Sequence, residues 1–299
     1  MKAARLFFMV LVALVIFSPS MVVAQDATPA AVEPERPAME RGVVYGEDDS
    51  TRQLMHVFRQ VPRDDPRPAV IVIHGGGFVY GDPSEFVRNA EVFVDNDFVT
   101  FLIGYRLFDQ VTGENQFPTA LDDVQLAVRW IRAHAEEFNV DPDRIGAVGA
   151  STGGQLAGLL GTMETRDPSA PLADYSSRVN AVASISGDLD LTVPLSESWA
   201  PLYDQIIGGT LAEHPELYEA ASPVTYVDAD TVPFLITHGT NDTDSPHQQS
   251  LNMVEALSKA GIEFVYAELP GKDHFWAISA PQVWQLAATF MDYQLRPDR

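Results

Sequence analysis

Cysteine is absent from the 299 residues. Its absence excludes disulfides, thiolate metal sites, cysteine nucleophiles and an acylated N-terminal cysteine. Positive charge is scarce: 19 Lys and Arg stand against 42 Asp and Glu, a formal net charge of −23. Such a surface repels nucleic acid and anionic membranes and suits neutral or cationic small molecules. Long apolar runs are also scarce, and the one that stands out, Leu6 to Phe17, is shorter than the roughly 20 residues that span a bilayer. Lys2 and Arg5 precede it, Ser18-Pro19-Ser20 breaks it, and Val22-Val23-Ala24 follows with the small-residue pattern that signal peptidase reads. Residues 1–24 are therefore expected to be a secretory signal peptide cut after Ala24, giving an exported chain with no stable membrane insertion, an uncleaved membrane anchor being the alternative. Loss of Lys2 and Arg5 with that segment takes the net charge from −23 to −25.

What is present points to a globular protein: 46% of residues are hydrophobic and 20% charged. Residues 25–42, rich in Pro, Ala and Glu as far as Met39, are expected to be a flexible leader, and 43–295 one domain. Within it, β-branched runs alternate with segments of helical period. Strands are expected at Leu54 to Val61, Ala69 to Ile73, Phe98 to Tyr105, Ile145 to Val148, Val179 to Ser186, Pro233 to His238 and Ile262 to Leu269. Helices are expected at Thr119 to Phe138, after Ser151, at Pro246 to Ala260 with Gly261 as C-cap, and at Pro281 to Tyr293. Ala69 to Ile73 is apolar on both faces, as in a strand covered on both sides. The alternation predicts an α/β fold: a mostly parallel sheet with helices on both faces. Leu189 to Asp230 breaks the pattern and reads as a small irregular excursion over the active site rather than a second domain.

Arg144 to Leu160 carries the strongest local signal. An apolar strand runs into Gly149-Ala150-Ser151-Thr152-Gly153, and a helix rich in Ala, Leu and Gly follows. This is G-x-S-x-G in the strand–turn–helix setting of a nucleophile elbow, where Ser151 is held in strained backbone at a helix N-terminus. A glycine-rich turn with an incidental serine reads the same in isolation, so the rest of the chain must decide. In parallel sheets, sites form beyond the carboxyl ends of strands, and His74 to Phe78, Ser151 and His238 to Asp244 all fall there.

A serine hydroxyl needs a base of near-neutral pKa, which points to histidine. His56 and His134 lie on the scaffold, His214 lies in the excursion, and His247 begins a helix. His74 and His238 sit beside glycine at strand ends, where an imidazole ties down loop backbone. His274 stands on a Pro/Gly loop after the last strand and is the candidate base. The acid that orients it is Asp242 or Asp244 in His238-Gly239-Thr240-Asn241-Asp242-Thr243-Asp244. The order Ser151, Asp242, His274 is that of α/β-hydrolases. The glycines of His74-Gly75-Gly76-Gly77 and the N–H of Thr152 can supply donors to an oxyanion. Trp199, Tyr203 and Trp276, with Phe78, are candidate pocket residues; aromatics in an excursion serve as often for its own small core.

These segments resemble the α/β-hydrolase esterases of the BD-FAE-like and hormone-sensitive-lipase type: H-G-G-G-F (74–78), Y-R-L (105–107), G-A-S-T-G-G (149–154) and H-G-T-N-D-T-D-S-P (238–246). P-T-A-L-D-D-V (118–124) and A-S-P-V-T-Y-V (221–227) are closer to the BD-FAE-like branch. The resemblance, which runs from Val43 to Leu295, places the acid on Asp242 and the oxyanion hole on Gly76, Gly77 and Thr152. It departs from the pattern at Ser245, where valine is usual, and at Thr152, where alanine is more common in the hormone-sensitive-lipase group. It implies a serine carboxylesterase acting on short-chain esters, including acetyl or feruloyl groups on carbohydrate, without cofactor or metal. A peptidase of the same fold and a catalytically silent binding protein are the alternatives; the chain carries no propeller-sized N-terminal region, and all three triad candidates are present. Oligomeric state has no signature in the sequence.

Overall fold

A computed structural model describes residues 38–46, 52–59 and 65–296, all within one compact unit that begins at Glu35. The expected signal peptide lies outside the described residues, as does most of the leader.

Eight strands form one sheet in the order β1-β2-β4-β3-β5-β6-β7-β8. They are β1 (Ala38–Val44), β2 (Leu54–Arg59), β3 (Arg67–Ile73), β4 (Val99–Ile103), β5 (Val140–Ala150), β6 (Ala181–Ile185), β7 (Phe234–Gly239) and β8 (Phe264–Leu269). β2 pairs antiparallel with both β1 and β4, and every other pairing is parallel. The expected α/β fold is thus the observed one. β1 corrects the expected start of the domain, because residues 38–42 belong to a strand and not to the leader. It escaped the sequence reading because an edge strand exposed on most of its length carries no apolar alternation.

Helices cover both faces: α1 (Val87–Asp95), α2 (Thr119–Ala133), α3 (Ala135–Phe138), α4 (Thr152–Thr162), α5 (Ala200–Ile207), α6 (Pro215–Ala220), α7 (His247–Ala260), α8 (His274–Ser279) and α9 (Pro281–Leu295). The two faces are legible in β3. Ala69, Ile71 and Ile73 pack with Val124 and Val128 of α2 and Leu156 and Leu159 of α4 in one core. Val70 and Val72 point the other way and join Phe93 of α1 and Trp284 of α9. Three details differ from expectation. The helix expected from Thr119 to Phe138 breaks at His134, whose ring stacks on Trp130 at 3.9 Å. The segment ends in the left-handed conformation of Asn139, and Asp141-Pro142 falls inside β5. The excursion is also more regular than expected, since α5 and α6 are helical turns within it.

The chain leaves β3 to build β4 on one side and later returns to place β5 on the other. The segments after β3 and β5 therefore open into the same crevice, the switch point where ligands bind in such sheets.

Candidate active site

Ser151 stands between the last residue of β5 and the first of α4, with φ 56° and ψ −128°. An L-residue reaches that region only at a cost of about 1–3 kcal/mol, met by the structure around it. Its N–H donates to the Ile185 carbonyl at 3.0 Å, and its carbonyl accepts from the Gly154 N–H at 2.8 Å. The flanking glycines are there because backbone passes too close for a side chain. A Cβ on Gly149 would strike the Gly153 carbonyl, and one on Gly153 would strike that of Ile73.

The glycine loop after β3 is braced from several sides. Tyr105 donates its hydroxyl to the His74 carbonyl at 2.9 Å and stacks on the His74 ring at 4.3 Å. His74 Nδ1 lies 2.8 Å from the Gly75 carbonyl, and burial pushes its pKa down to about 4, so the ring is a neutral strut. Arg106 beside Tyr105 reaches Asp123 of α2 through Nε at 3.0 Å, which ties two of the motif segments together. Gly76 has φ +119° and Gly77 φ +61°, positions that favour glycine. Among the described residues, nothing accepts from the N–H groups of Gly76, Gly77 or Thr152. Three donors are thus free where the β3 loop meets the N-terminus of α4.

The loop after β7 supplies the acid. His274 Nδ1 lies 2.7 Å from Asp242 Oδ2, whereas Asp244 instead accepts from the Trp199 indole N–H at 3.0 Å. Geometry thereby separates the two acid candidates. Asp242 Oδ1 accepts from the N–H groups of Asp244 and Ser245 at 3.0 and 2.9 Å. Burial opposes ionisation of Asp242, but hydrogen bonds from His238 and His274 outweigh it and hold the carboxyl well below the usual carboxylate range. Because Nδ1 of His274 faces a carboxylate, it carries the proton, leaving the Nε2 lone pair as acceptor. Burial of His274 acts to lower its pKa, yet the Asp242 hydrogen bond and the charges of Asp242, Asp188 and Asp244 leave it raised.

Ser151 and His274 line one small open cleft of about 20 Å³ together with Gly77, Trp199 and Tyr203. The other two pocket candidates lie elsewhere. Phe78 is 3% exposed and packs edge-on against Tyr105 and Tyr203, so it is core behind the loop. Trp276 is not in the cleft lining; it packs against the opposite core, with the Lys272 ammonium over its ring at 4.4 Å. His274 opens α8, and a residue two further on points to a different side of the helix.

Two functional features were missed by the sequence reading. His238 places Nε2 2.9 Å from the Ser245 carbonyl and 3.3 Å from Asp242 Oδ2, and Nδ1 2.6 Å from Ser250 Oγ. It holds the acid as well as the loop. Asp188, just after β6, is 2% exposed and lines the cleft, accepting from Tyr203 Oη at 2.7 Å and Ser245 Oγ at 2.6 Å. Ser245, the departure from the expected valine, thus caps a buried carboxylate. The available signal was a Gly-Asp pair at a strand's carboxyl end. Among the described residues no cluster of His, Asp and Glu is placed to hold a metal, and no helix is long and apolar enough to cross a membrane.

A family profile described as BD-FAE matches residues 55–257. Esterase LipC of Mycobacterium tuberculosis is 32% identical over 84% of this chain and 64% of its own length. The chain spans between 38% and 64% of the length of the first curated relatives it matches. Among solved structures, a truncated carbohydrate esterase from gut microbiota superposes with TM-score 0.77 at 23% identity, over 88% of this chain and 98% of that one. Est2, described as a thermophilic esterase of Thermogutta terrifontis, gives TM-score 0.71 at 26% identity, over 89% and 96%.

Proposed function

The chain belongs to the BD-FAE family of α/β-hydrolases, and from that premise we propose that it is an exported serine carboxylesterase that hydrolyses short-chain carboxylic esters through an acyl-enzyme. One observation carries the reading: a strained serine and a histidine whose other nitrogen is held by a buried aspartate share one cleft. Ser151 Oγ attacks the ester carbonyl as His274 Nε2 takes its proton, and Asp242 keeps the imidazole in the required tautomer and offsets the imidazolium charge. The carbonyl oxygen, now an anion, is received by the N–H groups of Gly76, Gly77 and Thr152, each such donor contributing about 3 kcal/mol to the transition state. His274 then protonates the leaving alcohol, and water, activated by the same nitrogen, hydrolyses the acyl-enzyme.

At about 20 Å³, the cleft lies far below the roughly 300–1,000 Å³ of sites for drug-sized ligands, which favours short acyl groups. Acetyl or feruloyl esters of carbohydrate fall within the reading, and the neighbour titled a carbohydrate esterase lends that branch support. Ser151→Ala should abolish hydrolysis of p-nitrophenyl acetate and labelling by a fluorophosphonate while the circular dichroism spectrum is retained. Turnover by that variant would overturn the mechanism. An intact chain that neither labels nor hydrolyses would identify a silent binding protein instead.

A further inference from the structure

We infer that the cleft selects esters carrying an ammonium group, with Asp188 and Asp244 as the residues that read the positive charge. The inference rests on Ser151 being an esterase nucleophile and adds the substrate class.

Apart from the Ser151 hydroxyl, the side-chain donors around the cleft are already committed. Around the cleft, the Tyr203 and Ser245 hydroxyls both donate to Asp188, and the Trp199 indole N–H donates to Asp244. The His274 Nδ1 proton is spent on Asp242. What remains on the side chains is acceptor capacity, since an ionised carboxylate offers about four lone-pair sites and each of these two uses few of them. The free backbone donors are those assigned to the oxyanion. A substrate that matches this wall brings donors or positive charge of its own, and one that brings an anion meets no side-chain donor besides the Ser151 hydroxyl.

Charge around the cleft is equally one-sided. Asp188 is 2% exposed, and among the described residues no lysine or arginine forms an ion pair with it or with Asp244. Burial pushes the Asp188 pKa up, against the lowering effect of the Ser245 and Tyr203 hydrogen bonds, so its ionised form is costly without a cation beside it. The imidazoles of His238 and His274 both lie against Asp242, and His274 must be neutral to accept the Ser151 proton. With His274 neutral, Asp188 and Asp244 have no lysine or arginine beside them among the described residues, and the oxyanion of the reaction adds a further negative charge. An ammonium on the substrate offsets it. Trp199 supplies the aromatic surface that favours such a cation, packed so close to the glycine loop that a Cβ on Gly77 would meet its ring at 2.6 Å. The net charge of −23 draws cations towards the cleft from a distance.

The test compares 2-(trimethylammonio)ethyl acetate with its uncharged isostere 3,3-dimethylbutyl acetate at neutral pH and matched ionic strength. The expected result is a kcat/KM about tenfold higher for the charged ester, the scale of one desolvated cation–aromatic contact. Asp188→Asn should bring that ratio towards one, Asp244→Asn should lower it, and tetramethylammonium should inhibit hydrolysis of the uncharged ester competitively. If Asp188→Asn fails to fold, the wild-type ratio, the inhibition and Asp244→Asn still decide the matter. A wild-type ratio at or below one, with fluorophosphonate labelling of Ser151 intact, overturns the inference and leaves the esterase reading standing. An unchanged ratio in Asp188→Asn, with both rates reduced and the pH profile shifted, overturns it in favour of a positioning role towards His274. Absence of labelling and of all turnover overturns the esterase reading itself, and this inference with it.

Discussion

At the scale of single residues, catalysis and stability pull in opposite directions at position 151. The φ of 56° is one that glycine adopts freely and serine does not. Ser151→Gly should therefore abolish hydrolysis and raise stability by about 1 kcal/mol, the strain relieved less the added freedom of glycine in the unfolded chain. A higher midpoint in urea checks it. His274 makes a second prediction. Its pKa is raised above the ordinary 6.5, and only its neutral form accepts the serine proton. Activity should thus fall on the acid side below a pKa higher than 6.5, and the pH profile of kcat/KM measures it. Asp242→Asn removes the largest of the interactions that raise this pKa, so the acid limb should move down while kcat drops by about 10⁴. The proposed nucleophile, the proposed base and both acid candidates were legible as candidates because chemistry restricts which residue types can serve and the strand–turn–helix pattern locates them. Asp188 and the hold of His238 on Asp242 were not, since each depends on loops far apart in the chain: Asp188 and Ser245 are 57 residues apart.

Whole elements explain why the loops are where they are. Gly149 and Gly153 let α4 start directly against β5 and β3, which is what lifts Ser151 to the rim of the sheet. α9 anchors the opposite face. Trp284 is fully buried, packs on Phe93 and Phe86, and donates its indole N–H to the Ile278 carbonyl at 2.8 Å. Trp284→Ala should cost about 3–5 kcal/mol, read as a lower midpoint in chemical denaturation. The excursion is fixed by the A-S-P-V-T-Y-V segment: Gln155 of α4 donates to the Ala221 carbonyl at 2.8 Å, and Ser222 accepts from the Leu191 N–H at 2.8 Å. That attachment is what delivers Trp199 and Tyr203 to the cleft. Strands buried on both faces announced themselves by unbroken apolar runs, whereas β1, exposed at the edge, and the short α5 and α6 left no such period.

Across the whole molecule, the order of strands does the organising. With β3 between β4 and β5, the glycine loop and the serine turn share one crevice, and the loops after β6, β7 and β8 close round it in sequence. Export is the remaining proposal at this scale. Produced in a secreting bacterial host, the chain should be recovered with Gln25 as its first residue, as intact mass would establish; a retained Met1 would contradict it.

Composition, periodicity and motif spacing determined by themselves the fold class, the serine, the histidine and the direction of charge. Each of those is written locally, in a run of apolar residues or a short string whose chemistry has few alternatives. Tertiary structure alone decided that Phe78 and Trp276 turn away from the cleft and that Asp188 turns into it; at Asp242, the acid the resemblance implied, it adds the 2.7 Å contact with His274. The reason is physical: hydrogen bonds act within about 3 Å, and which groups come that close is set by how loops on different strands pack. The motif around Ser151 therefore locates the proposed nucleophile, and the folded loops around it determine which groups line its cleft.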